Sequence, residues 1–130
     1  MHRSRIGVVL IDHPADRFDA AADFWTTARG GKRGASDSDA EASPYQSLEP
    51  LPGRVMLELQ RTGTGTAPRI HLDIETDDVE AEISRLTAAG AQIHERRDGY
   101  AIMTDPGGLL FCVVPVQTGA DFDVHAVAWP

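Results

Sequence analysis

The chain has 130 residues, enough for one domain but not for two independent cores, and its 42% hydrophobic and 25% charged residues exclude a disordered chain. Its formal net charge of −8 argues against a nucleic acid partner, and no apolar run approaches the length of a membrane span. The single cysteine, Cys112, excludes an internal disulfide framework and agrees with a reducing compartment. We therefore expect a soluble, cytoplasmic domain that is stabilised by packing.

The start of the chain predicts a buried strand and then an amphipathic helix. Residues 5–11 are β-branched and almost wholly apolar, which is typical of a strand covered on both faces. From residue 15 to about 28 apolar side chains recur at helical spacing, and two glycines end the pattern. Phe18 and Trp25 share the apolar side of this helix, so we expect both in the core.

Residues 32–44 are small and polar, and they predict a long loop between short edge strands. A brief strand is expected at 45–48. After a Pro-Gly turn, residues 54–60 alternate between apolar and polar side chains, so Glu58 and Gln60 should share the face opposite the apolar side chains.

The second half of the chain begins after a Thr-Gly repeat that we interpret as a connection. His71 and Asp73 alternate with apolar residues in a predicted strand, and Asp77-Asp78 then starts a helix that ends at Gly90. Three further strands are expected, over 92–96, 100–104 and 109–114. Residues 122–129 alternate again and predict one more strand, which would pair with another sheet edge or a second subunit.

Several segments, in this order, resemble the glyoxalase/bleomycin-resistance/dioxygenase family, the vicinal oxygen chelate superfamily. They are Asp23-Phe24-Trp25, Arg69 to Ile74, Asp77-Asp78-Val79, Leu86 to Gly90, and Asp105 to Cys112. The resemblance implies an α+β fold in which two βαβββ modules form a cupped mixed sheet. We place the modules at about 4–61 and 69–116 of a single 1–130 domain, with a C-terminal extension at 117–130. A ferredoxin-like βαββαβ arrangement is the rival fold, and it would need only one strand between the first helix and His71.

The resemblance also implies which positions would hold a metal, because metalloenzymes of the family take one ligand from the first and last strand of each module. His71 stands at the position that opens the second module, and Glu58 at the one that closes the first. The opening strand offers Gly7 or Val8, neither of which can coordinate through a side chain, and Cys112 stands where glutamate is usual. We therefore expect no metal cofactor; a divalent metal, if one binds, would use Glu58 and His71.

The candidate catalytic residues are thus Glu58 and His71, and the candidate ligand-binding residues are Gln60, Asp73, His94, Tyr100 and Cys112. Polar groups that converge in a concave face are typical of small-molecule sites. Each also has a structural alternative: a hydrogen-bonded histidine at 71, a solvated glutamate at 58, packed side chains at 100 and 112, and a rim position at 94.

Three functions remain open. The first is metal-independent binding of a small organic molecule in the concave sheet face, for sequestration or carriage, as in bleomycin-resistance proteins. The second is a lyase, isomerase or dioxygenase that uses Glu58 and His71 as acid and base or with a weakly held divalent metal. The third is an interaction module with a vestigial cup. The resemblance also implies a homodimer, and we expect neither nucleic acid nor membrane as a partner.

Overall fold

A computed structural model describes residues 1–34 and 43–130, and in them each of the first two helices is followed by three strands. In these residues the elements are β1 (His2–Pro14), α1 (Phe18–Arg29), β2 (Tyr45–Ser47), β3 (Met56–Thr62), β4 (Arg69–Thr76), α2 (Val79–Ala88), β5 (Gln92–Arg97), β6 (Tyr100–Thr104), β7 (Leu110–Pro115), α3 (Ala120–His125) and β8 (Val127–Trp129). Parallel and antiparallel strand pairs both occur, which confirms the α+β class. The predicted loop at 32–44 lies largely outside the described residues.

One compact unit comprises Val8–Ile70. Its strands follow the order β2-β3-β1, with β3 parallel to the second half of β1 and antiparallel to β2. The alternation predicted for β3 is confirmed, because Leu57 and Leu59 are buried while Glu58 and Gln60 on the other face are half-buried. The core of this unit contains Ile11, Phe18, Ala22, Leu48, Leu57 and Leu59.

Two details of this unit differ from the prediction. Trp25 does not lie in the core: it is 36% exposed and makes an edge contact with the ring of Phe24, since α1 buries only its first half through Phe18 and Ala22. The two strands after α1 also have other bounds than the predicted 45–48 and 54–60: β2 is Tyr45–Ser47 and β3 is Met56–Thr62, and Leu51 and Val55 form an isolated bridge across the turn between them.

The other compact unit comprises Met1–Gly7 and His71–Pro130. Its strands include the order β4-β7-β6-β5, in which β4 and β7 are parallel and the remaining neighbours antiparallel. The helix that starts at Asp78 confirms the prediction, since the Asp78 carboxylate accepts a hydrogen bond from the backbone N–H of Ala81 at 3.0 Å. The predicted strand, helix and three strands of the second module are therefore confirmed. Its core contains Ile83, Ala91, Ala101, Met103, Phe111 and Val113.

The predicted strand over 122–129 is wrong for its first half. Residues 120–125 form α3, which buries Phe122 to 1% exposure, and only Val127–Trp129 forms a strand. Turn hydrogen bonds from Asp121 N–H to Thr118 and from Phe122 N–H to Gly119 start this helix, a local signal that an alternating pattern of eight residues does not carry. β8 pairs antiparallel with the beginning of β1 in the same chain, from His2 opposite Trp129 to Ser4 opposite Val127.

None of the helices in the described residues has both the length and the apolar character needed to cross a membrane.

Candidate functional site

The side chains of β4 divide between two faces of the sheet. Leu72 and Ile74 pack against the core that α2 covers, so the alternating His71, Asp73 and Glu75 face the opposite side. Asp73 lies in register with Cys112 of the parallel strand β7. One ligand atom each of His71, Asp73 and Cys112 therefore lies within 4.8 Å of the other two, and we call these three residues the His71 cluster.

The imidazole of His71 is held through one nitrogen. Its Nε2 lies 3.1 Å from Sγ of Cys112 and 3.4 Å from Oδ1 of Asp73. Hydrogen bonding to Asp73, and then to Cys112, outweighs the effect of burial and raises the pKa of His71 to about 10. His71 is thus positively charged at neutral pH and acts as a hydrogen-bond donor. Its Nδ1 makes no hydrogen bond with any residue that the structure describes, and the side chain is 12% exposed.

Glu75 lies on the same face but belongs to a different set of contacts. Its carboxylate is fully buried and accepts hydrogen bonds from Nε of Arg5 at 2.9 Å, from the backbone N–H groups of Gln117 and Thr118 at 2.8 and 3.0 Å, and from the Thr118 hydroxyl. Burial alone would raise the pKa of Glu75, but the bonds from Thr118 and Arg5 hold it below its usual range. Glu75 is therefore the anionic half of a buried ion pair.

Glu75 explains why β1 carries a glycine where the resemblance expects a metal ligand. A Cβ added at Gly7 would lie 2.6 Å from Cδ of Glu75, closer than any ordinary contact. Because the Glu75 carboxylate fills this space, no side chain from position 7 fits beside it. The space beside position 7 is thus occupied by a buried carboxylate that Arg5 neutralises.

Adding one methyl group at this position tests the explanation. We expect Gly7→Ala to lower the free energy of unfolding by about 1–2 kcal/mol, because Glu75 is fixed by its bonds and cannot move away cheaply. Urea denaturation measures the loss. Gly63→Ala is the control, since its added Cβ would meet only Thr66 at 3.9 Å. Equal losses in the two variants would contradict the explanation.

The other predicted site residues lie in several places. Glu58 and Gln60 belong to the unit of Val8–Ile70, where Glu58 accepts a hydrogen bond from Ser47 at 3.5 Å and Gln60 donates one to the Tyr45 hydroxyl at 3.4 Å. Their convergence with His71 stays a prediction. In the other unit Tyr100 is half-buried, and His94 is exposed on β5.

Tyr100 shares a sheet face with the His71 cluster. It alternates with Ala101 and lies on the same side of β6 as Ile102, which is in register with Cys112. Sequence reasoning missed Glu75 and Arg5, although the alternation of 71, 73 and 75 was a signal that placed all three on one face.

A family model of the glyoxalase-like domain matches residues 8–114. This chain belongs to the glyoxalase-like domain family. A search of curated protein sequences found no match.

Solved structures similar to this glyoxalase-like domain share its fold. A methylmalonyl-CoA epimerase from Mycobacterium tuberculosis is 18% identical, with a TM-score of 0.59 over 86% of this chain and 87% of the epimerase. An Mn(II)-bound glyoxalase from Novosphingobium aromaticivorans is 21% identical, with a TM-score of 0.58 over 88% of this chain and 40% of that one. A mutant 4-hydroxymandelate synthase from Streptomyces coelicolor is 12% identical, with a TM-score of 0.59 over 90% of this chain and 50% of the synthase. At these identities the likeness shows the fold alone.

Proposed function

We propose that this glyoxalase-like domain binds a small organic molecule on the sheet face of the His71 cluster, without a catalytic metal. One observation carries the proposal: Nε2 of His71 contacts both Cys112 and Asp73, so this nitrogen is already hydrogen-bonded within the cluster and Nδ1 is the one left for a ligand. The opening strand supports it, because Gly7 has no side chain that could complete a set of metal ligands. Glu75, the next acid on this face, already forms a buried ion pair with Arg5 and is not available as a further ligand.

The surroundings of His71 indicate the class of ligand. Nδ1 of a charged imidazole is a hydrogen-bond donor, and it has no partner among the described residues. Tyr100 and Ile102 supply aromatic and apolar surface on the same face. A small molecule that joins a carboxylate or another oxygen acceptor to an apolar body fits both features.

A thermal-shift screen of the full chain with small aromatic and aliphatic carboxylates tests this function. A ligand present at about 100 times its Kd should add about 2.7 kcal/mol to stability. We expect His71→Gln to weaken binding of any hit at least about tenfold, because the variant loses a charge-assisted hydrogen bond. His125→Gln is the matched control, since it removes an exposed histidine of α3 that is not among the candidate site residues. If the His71→Gln variant and the wild type bind a hit with equal affinity, the proposal is contradicted.

A metal-dependent enzyme is the second candidate. It is favoured by the three ligand atoms of the His71 cluster, which all lie within 4.8 Å of one another. Imidazole nitrogen, carboxylate oxygen and thiolate sulfur suit a divalent ion such as zinc, and three protein ligands leave a coordination position open for substrate. Such an enzyme would be a lyase, isomerase or dioxygenase. Elemental analysis that finds stoichiometric metal in the wild type, and its loss in Cys112→Ser, would favour this candidate.

A further inference from the structure

An ion pair in the unit of Val8–Ile70 has an unusual geometry. Asp12 of β1 is only 2% exposed, and its Oδ2 accepts a hydrogen bond from Nε of Arg69 at 3.1 Å. Its other oxygen, Oδ1, is buried and has no hydrogen-bond partner among the residues that the structure describes. The side chain of Arg69 is 53% exposed. A buried carboxylate is thus bonded on one side only, to a guanidinium that reaches the surface.

This arrangement is a poor way to stabilise a fold. Burying a carboxylate costs free energy unless its oxygens are well hydrogen-bonded, and a buried unsatisfied polar atom needs an explanation. An exposed partner such as Arg69 recovers little of that cost, because water screens the pair. The buried position of Asp12 is therefore better explained by its effect on the orientation of the Arg69 guanidinium.

Asp12 contacts the guanidinium of Arg69 through Nε, so the end of the group formed by Nη1 and Nη2 is not used by this ion pair. Within the described part of the chain, Nη1 and Nη2 of Arg69 make no hydrogen bond. The exposed pairs of Arg96 with Glu80 and of Arg97 with Glu95 differ, because there a terminal nitrogen contacts the acid. Arg69 thus keeps the two-nitrogen edge that binds carboxylates and phosphates in a bidentate manner.

We propose that Asp12 and Arg69 form an anion-binding subsite, in which Asp12 positions the guanidinium and Arg69 binds the carboxylate or phosphate group of a small molecule. Fixing the guanidinium before the ligand arrives lowers the entropy lost on binding. A chain with a net charge of −8 repels anions over most of its surface, so a locally exposed cation is needed to hold one. The subsite lies in a different compact unit from the His71 cluster and does not depend on it.

Titration of the full ¹⁵N-labelled chain with acetate and with inorganic phosphate, at constant ionic strength against chloride, tests the subsite. We expect saturable shifts of the Arg69 Nε–H signal with at least one of the two anions. Saturation by acetate assigns a carboxylate group, and saturation by phosphate assigns a phosphate group. Absence of saturation with both anions would overturn the proposal.

Variants at position 69 distinguish bidentate binding of the anion by a guanidinium from attraction by any positive charge. Binding to these variants is followed through the backbone amide signals around position 69, which all of them keep. Arg69→Met should abolish saturation, and Arg69→Lys should weaken binding at least about tenfold, because an ammonium lacks the planar two-nitrogen edge. Arg96→Met is the control, since it removes the same charge from a side chain that is 52% exposed, and its affinity should equal that of the wild type. Wild-type affinity in Arg69→Met would overturn the proposal.

The variant Asp12→Asn distinguishes a positioning role from a structural one. If Asp12 positions Arg69, the variant should keep or raise the melting temperature, because it removes a poorly compensated buried charge, and should weaken anion binding several-fold. Its Arg69 Nε–H signal should also shift. A lowered melting temperature with unchanged anion affinity would show that Asp12 is structural and would overturn its assigned role.

Discussion

Replacing Glu75 with glutamine should lower the free energy of unfolding by about 3–5 kcal/mol. The side chains of Arg5 and Glu75 are 6% and 0% exposed, so the guanidinium would remain buried beside a neutral amide. Glu75 also accepts hydrogen bonds from the backbone N–H groups of Gln117 and Thr118. These bonds join β4 to the segment that precedes α3. Urea denaturation followed by fluorescence and by circular dichroism measures the loss.

A matched variant shows whether burial is the cause. Glu95→Gln removes a carboxylate that is 48% exposed and pairs with Arg97, so it should cost less than about 1 kcal/mol. In a Glu75→Ala background, Gly7→Ala should become nearly harmless, because the side chain that its methyl group would meet is gone. Similar losses in Glu75→Gln and Glu95→Gln would refute the buried ion pair as a source of stability.

The sequence was informative where the signals are local. The alternation of β4, the Asp78 cap and the glycine after α2 each involve residues within a few positions of one another, and the second module was predicted from them. The alternation also placed His71 and Asp73 on one face, opposite the core. Patterns of this kind follow from the geometry of single strands and helices, so they can be read without a tertiary structure.

The partners of these residues could not be predicted in the same way. Arg5 and Glu75 are 70 residues apart and Thr118 and Glu75 are 43 apart, and alternation indicates a face but not the residue that meets it there. The contact between His71 and Cys112 depends on the register of β4 against β7, which is set by packing of the two strands. The sequence therefore predicted a face for the site and left its hydrogen bonds undetermined.

We expect a second large loss of stability when Glu82 is replaced. This residue lies on α2, in the unit of Met1–Gly7 and His71–Pro130. Glu82 is fully buried on α2, where it contacts Nε2 of His2 at 2.6 Å and accepts hydrogen bonds from the hydroxyl of Ser4 at 2.9 Å and from Nε and Nη2 of Arg85 at 2.9 and 2.7 Å. Glu82→Gln keeps the shape but removes the charge, and one of the donors would then face an amide NH₂ group. We expect the free energy of unfolding to fall by about 2–3 kcal/mol at pH 7.

The loss of stability caused by Glu82→Gln should depend on pH. Burial alone would raise the pKa of Glu82, but the hydrogen bonds from Arg85, His2 and Ser4 bring it below its usual range. A folded pKa below the unfolded one adds stability that is fully present above the unfolded value of about 4.3 and is lost as the pH falls through the folded value. The difference between wild type and Glu82→Gln should therefore shrink as the pH falls from the unfolded pKa of about 4.3 through the folded one. Glu80→Gln, on the exposed side of the same helix, should show no such change. A Glu82→Gln difference that stays constant down to pH 3 would mean that shape rather than charge makes Glu82 stabilising.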